Sequence, residues 1–307
     1  MTENNNTKIG HLSCFIAYGI FGFNIIVCKD LASTQLISPI GLFCMRSIGA
    51  MFLFWTISFL IPRQQVESKD FPKIALASFL GFFLTQLTFL MAISDITPMD
   101  CSIVASLSPV YTMFIAAIAL KEPITLQKAG GVGISLVGIL FLIYNSTNAV
   151  NVDTVTNPRG IFLMIANSLC FAIYLGVFKP VITKYSVVTF MKWIFLFSTI
   201  LSFPLAGKEL ISINYSQLPS TIIIELGFLI VCSTFISYFL IPLGQKHIRP
   251  TLVSMYSYVQ PIIAITLSIC IGMDKLTWQK VIAAITVFTG VVIVSYSRQA
   301  MSVNKRR

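Results

Sequence analysis

The sequence predicts an all-α polytopic membrane protein: ten transmembrane helices arranged as two inverted five-helix repeats, with both termini in the cytoplasm. Three observations carry that expectation. The chain of 307 residues is 56% hydrophobic and 10% charged, with a mean hydropathy of +0.86, whereas soluble domains carry about 25% charged residues. Apolar runs of roughly 20 residues, the length a ~30 Å hydrocarbon layer demands of a helix, recur along its whole length. The third observation is that the two halves repeat one another at near-constant offsets. The runs lack period-2 alternation, and a backbone in lipid must satisfy its own hydrogen bonds, which selects helices over a barrel.

Polar punctuation places the spans near 9–29, 39–61, 71–94, 99–120, 126–145, 160–179, 186–206, 219–243, 250–272 and 277–297. The first follows the polar MTENNNTKIGHL and is read as an uncleaved helix, because no small-residue cleavage pattern closes a shorter apolar region. The second holds Arg46, and the fourth contains Pro109 and ends at Lys121-Glu122-Pro123. The fifth carries GGVGISLVG, small residues suited to close helix packing, without the Lys-Ser/Thr ending of a phosphate-binding loop. Beyond the Asn/Thr-rich 145–159 come the sixth span and the seventh, which holds Lys192; after 207–219 the eighth contains Glu225. The ninth contains Pro261 and ends near Asp274. Connections are short and leave no room for a soluble domain.

The net charge of +10 is distributed by side, which argues for a membrane and against nucleic acid. With ten spans, the side holding the termini carries fourteen Lys and Arg, the other side five, and Arg46 and Lys192 lie within spans. That positive-inside bias predicts cytoplasmic termini. Seven scattered cysteines and two distant histidines supply no disulfide framework or metal site, and no cofactor is indicated.

A shift of 152 residues superposes spans 4 and 5 on spans 9 and 10: Pro98 on Pro250, Ser102 on Ser254, Pro109 on Pro261, Thr125 on Thr277, Lys128 on Lys280 and Gly138 on Gly290, with Glu122 on Asp274. The first helices agree at offset 150, with Phe21 on Phe171 and Lys29 on Lys179, and Arg46 matches Lys192 at offset 146. Two units follow, 1–148 and 149–307. Five helices is an odd number, so the second unit enters the membrane from the opposite face. Inverted repeats are a hallmark of secondary transporters, with the substrate site between the halves near the midplane. Pro109 and Pro261 are the candidate hinges; Glu122 and Asp274 mark where hydrocarbon ends.

The stretch SPVYTMFIAAIALKEPITLQKAGGVGISLVGILFL resembles the second part of an EamA domain, found twice in ten-helix members of the drug/metabolite transporter superfamily. FGFNIIVCKDLAS and SPIGLFCMRSIGA resemble its first part, and the resemblance covers residues 9–297. Phe21 stands where the family often has tryptophan, and Met273-Asp274 replaces the usual residue pair in the second copy. The resemblance implies export of small metabolites, often amino acids, across the inner or plasma membrane.

Polar groups deep in spans tend to face a bundle interior or a watery cavity. Those near mid-depth are Asn24, Gln86, Ser106, Ser108, Tyr174, Ser237, Tyr238, Tyr256, Tyr258 and Gln260, the candidates for a substrate path; interhelical hydrogen bonding is the alternative for each. Charged candidates for gating or coupling are Lys29, Arg46, Lys179, Lys192 and Glu225. Arg46 lies ~10 Å inside its span, and its guanidinium cannot discharge. Lys29 and Lys179 close the first helix of each half and could snorkel. Glu225 could pair with a cation or carry a coupling proton. The reading is a secondary or facilitative exporter of small, amino-acid-like solutes, with the lipid bilayer as its surroundings and protons as a candidate coupling partner. A lipophilic-cation exporter would want a buried carboxylate in an early span, and span 1 has none before Asp30. An intramembrane enzyme would need a nucleophile–base pair or metal cluster, for which no spacing is suitable; a non-transporting receptor is the remaining alternative.

Overall fold

The computed structural model describes residues 2–119, 126–148, 156–213 and 218–304, all helical or in short connections, with no strand among them. Glu122 of the Lys-Glu-Pro break lies outside these residues. The helices are α1 (Thr2–Thr34), α2 (Pro39–Leu60), α3 (Ser68–Asp95), α4 (Pro98–Ala105), α5 (Ser108–Ala119), α6 (Leu126–Asn148), α7 (Pro158–Val177), α8 (Lys179–Lys184), α9 (Val187–Ser212), α10 (Ser220–His247), α11 (Pro250–Met255), α12 (Val259–Cys270) and α13 (Trp278–Asn304).

Seven helical stretches among the described residues are long and apolar enough to cross a membrane: Thr7–Thr34, Pro39–Leu60, Ser68–Asp95, Pro158–Val177, Val187–Lys208, Ser220–His247 and Leu252–Cys270. The other three expected spans are helical but differ in form. A turn at Ser106–Leu107 splits α4 from α5, α6 has a shorter apolar stretch at Gly130–Leu142, and α13 ends in the polar SRQAMSVN. Large apolar side chains such as Phe52, Phe59, Phe162, Phe203 and Ile224 are exposed on the outside of the bundle, a surface that suits lipid and not water.

Local sequence explains where several helices begin. Ser38-Pro39, Thr97-Pro98 and Asn157-Pro158 each place a side-chain acceptor before a proline. The acceptors take hydrogen bonds from the backbone N–H of Gly41 (3.1 Å), Asp100 (3.3 Å) and Arg159 (2.9 Å). The proline sits where its missing N–H costs nothing. Both candidate hinge prolines follow a local irregularity: the helix breaks at Ser106–Leu107 just before Pro109, and tightens to a 3₁₀ turn at Tyr256–Tyr258 just before Pro261.

One irregularity went unpredicted. α3 widens to a π-helix at Phe79–Leu84 and α10 at Leu229–Ile236, corresponding positions of the two halves. A π turn leaves the i−4 pattern, and hydroxyls follow it by donating to i−5 carbonyls: Thr85 to Leu80 (2.7 Å), Thr234 to Leu229 (2.6 Å) and Ser237 to Cys232 (3.1 Å).

The halves interlock. Gly10 of α1 packs on His247 and Ile248 at the end of α10, and Gly160 of α7 packs on Ala92 and Asp95 at the end of α3. A Cβ on Gly10 would stand 2.9 Å from the His247 Cβ, and one on Gly160 would stand 3.0 Å from the Asp95 Cβ. α6 and α13 cross in the same reciprocal way. Gly138 faces Val287 and Ala283, while Gly290 faces Ser135 and Gly131. Each contact is the image of its partner at offset 150 or 152.

Candidate functional site

A cavity lies where α1, α3, α7 and α10 meet the breaks in α4–α5 and α11–α12. Its wall contains five pairs of residues at the repeat offsets: Tyr18 with Ser168, Phe21 with Phe171, Gln86 with Tyr238, Ala105 with Ser257, and Ser108 with Gln260. The cavity therefore straddles the relation between the halves. Gln86 Nε2 donates to Tyr238 Oη across it at 2.6 Å.

The lining is aromatic and neutral. Phe21, Phe89, Phe171 and Tyr238 supply ring surface, Asn24, Gln86, Asn167 and Gln260 supply amides, and none of the described lining residues carries a charge. Several lining polar atoms are buried without a protein partner: Tyr18 Oη, Gln86 Oε1, Ser108 Oγ, Ser168 Oγ and Ser257 Oγ. Buried polar groups in native proteins nearly always have a partner, and these atoms give the wall hydrogen-bonding capacity that the protein itself does not use. A second cavity lies toward the α3 C-terminus between Cys28, Leu31, Ser38, Leu42 and Ile93.

Of the predicted path residues, Asn24, Gln86, Ser108, Tyr238 and Gln260 come together in the central wall. The others have different surroundings. Ser106 donates to the Ile103 carbonyl at 2.5 Å, and Ser237 closes the π turn. Tyr174 stacks on Phe171 and covers Gly81, where no side chain would fit. Tyr256 Oη meets His11 Nδ1 at 2.7 Å, and the Tyr258 ring packs edge-on to Phe288. Asn167, unpredicted, lines the cavity and donates to the Thr85 carbonyl at 2.6 Å; the signal available was an amide at mid-depth in span 6.

The charged candidates are equally distinct. Lys29 Nζ donates to the Ile93 carbonyl (2.9 Å) at the end of α3, and Lys179 Nζ to the Ile248 carbonyl (2.9 Å) just beyond α10. Both neutralise carbonyls that a helix terminus leaves unpaired, with the cation at the negative end of the dipole. Lys192 lies 5.0 Å from the Trp55 ring centre. Glu225 lies against Asp30, with its Oε2 buried and unpartnered. Arg46 is fully buried: Nε donates to Thr234 Oγ1 (2.8 Å), Nη2 to Ser233 Oγ (3.1 Å), and Nη1 approaches Cys28 Sγ (3.8 Å).

Two ionic clusters join elements at opposite ends of the bundle. At one, Asp70 accepts from Lys184 (2.6 Å), Tyr185 (2.7 Å) and Lys73 (3.2 Å). Lys184 also reaches Glu67 at 2.6 Å, and that hydrogen bond holds the Glu67 carboxyl below its ordinary range. At the other end, Lys280 of α13 bonds Asp274 (2.7 Å) and Thr97 (3.1 Å) and lies 3.3 Å from Asp100 of α4. Both aspartates are nearly inaccessible, and Thr156 donates to Asp100. Asp274, expected to mark a boundary, is thus half of a buried ion pair.

Helices that cross a membrane around a cavity shared by two repeats define a class: this is a multi-pass membrane transport protein. The EamA-like transporter family model matches residues 8–144 and again 158–296, and the chain belongs to that family. It is similar to an uncharacterized transporter of Archaeoglobus fulgidus, 24% identical over 270 residues, covering 87% of this chain and 92% of the relative. An uncharacterized inner membrane transporter of Salmonella typhimurium, YicL, is 21% identical over 294 residues, covering 94% and 96%. A protein of known crystal structure overlays with a TM-score of 0.64 over 97% of this chain and 99% of its own, at 14% identity, a likeness of fold alone.

Proposed function

We propose that the protein exports small, amino-acid-like metabolites by alternating access through the central cavity. The observation that carries this reading is the lining by residue pairs from both repeats. A site on the relation between two halves changes its exposure when one half rocks against the other. In this reading the units are 1–148 and 149–307, the second inverted, with ten spans and cytoplasmic termini. Asn24, Gln86, Ser108, Tyr238 and Gln260 contact the solute, and the breaks beside Pro109 and Pro261 are the hinges. The neutral, amide-rich wall suits a small polar solute and lacks the carboxylate a lipophilic cation would need.

Counterflow of labelled amino acids, nucleosides and cationic dyes in liposomes tests the function. Exchange of amino acids without ATP is expected; exchange confined to the dyes would overturn the substrate reading. Topology has its own check. Reporters after Ser297 and within 63–70 should read cytoplasm, and one within 147–157 should read the outer side. Termini on opposite faces would exclude ten spans.

Glu225 is the coupling group in this scheme, because its neighbour is Asp30 and not a cation. Two adjacent carboxylates share a proton more readily than they ionise together. Glu225→Gln should abolish acceleration by an imposed pH gradient while leaving counterflow measurable. An unaltered gradient response in the folded variant would assign Glu225 a structural role only.

A further inference from the structure

The central cavity has no charge in its wall, yet a guanidinium is buried directly behind it. Arg46 is inaccessible, and no described carboxylate forms an ion pair with it. Its partners are two hydroxyls and a thiol. Three of the five N–H donors of a guanidinium are therefore used, all on neutral acceptors and one on weakly accepting sulfur. The nearest acid on α10 is Glu225, eight residues from Ser233, or about 12 Å of helix. An unpaired cation inside a membrane is costly to keep, and such residues mark sites of function.

The side chain is also held rather than loose. Ser233 spends its proton on Asn24 Oδ1 (2.5 Å) and Thr234 on the Leu229 carbonyl (2.6 Å), so both hydroxyls turn lone pairs toward the guanidinium. Asn24 lines the central cavity, while Cys28, one turn further along α1, lines the second. Arg46 touches Cys28 directly and reaches Asn24 through Ser233, so it is linked to one lining residue of each space while lining neither itself.

We propose that Arg46 is the anion anchor of the transport path, binding the carboxylate of a small solute as it passes between the two cavities. This rests on the transport reading above and adds to it the chemical group that is recognised. A carboxylate offers the planar fork two charged oxygens, a stronger pairing than any the protein supplies. The amide wall and aromatic rings then hold the uncharged remainder.

The test compares matched probes in proteoliposomes: labelled leucine, phenylalanine and lactate against isoamylamine and phenethylamine, with wild-type protein, Arg46→Gln and Arg46→Lys. Wild-type protein should exchange carboxylates and leave the amines behind. Arg46→Gln should lose roughly tenfold or more of that exchange, the usual worth of a charged hydrogen bond, and Arg46→Lys should retain part of it. The carboxylates should also raise the unfolding temperature of the wild type and not of Arg46→Gln. Amines exchanging as fast as their matched carboxylates in the wild type would overturn the anchor and leave the transport reading standing, with no variant required. So would wild-type carboxylate exchange by Arg46→Gln. Exchange of no probe of either kind would overturn the transport reading and the anchor together.

Discussion

Lys280→Met should destabilise the protein by roughly 3–5 kcal/mol, the cost of leaving a buried charge without its partner. Lys280 is the cation between Asp274 and Asp100, whose side chains are 0% and 2% exposed. With the ammonium gone, at least one carboxylate must stay charged in a nearly dry site or take up a proton. Thermal unfolding in detergent reads the effect as a loss on the order of 10 °C. The penalty belongs to the uncompensated charge and not to the lost contact. Adding Asp100→Asn and Asp274→Asn to Lys280→Met should therefore recover much of it. An unfolding temperature unchanged in the single variant would show that water reaches the cluster.

The second large effect concerns the crossing of α6 and α13. A Cβ on Gly290 would run into the Gly131 carbonyl and Ser135 Oγ, and would lie 2.6 Å from the Ser135 backbone nitrogen. Backbone atoms cannot rotate aside, so Gly290→Ala must push the helices apart, at a cost of about 1–3 kcal/mol for overpacking. Gly133 has nothing within 4 Å of its Cβ position. Gly133→Ala should stabilise α6 by roughly 0.5–1 kcal/mol, the ordinary advantage of alanine in a helix. The two substitutions are chemically identical and should move the unfolding temperature in opposite directions. Equal shifts would mean that the helices do not approach this closely.

Hydropathy located the helices because a bilayer imposes one length on whatever crosses it, and the repeat was legible in its prolines and glycines. Depth in a span also singled out Asn24, Gln86, Ser108, Tyr238 and Gln260, which line one cavity. The same signature singled out Tyr174 and Ser237, which cover Gly81 and close a π turn. Which face of a helix meets the cavity depends on its phase, and the π segments reset that phase without any trace in hydropathy. The Asp100–Lys280 contact was illegible for another reason. Its members are 180 residues apart, each near a helix end where an interfacial charge is the ordinary expectation.

The reciprocal glycine packing of α1 and α7 has a consequence for how the protein is made. The residues that Gly10 rests on, Gly244 to Ile248, emerge from the ribosome about 230 residues after it. At ~5–20 residues per second, that is a wait of roughly 10–50 s. Throughout it, α1 stands in the bilayer with Asn24 and Tyr18 lacking their eventual neighbours on α10. Its other principal surface, against α12, arrives later still: Gly22 waits for Ile263. The order of assembly thus departs from the order of synthesis, because α1 is seated only after α10 and α12 have been made.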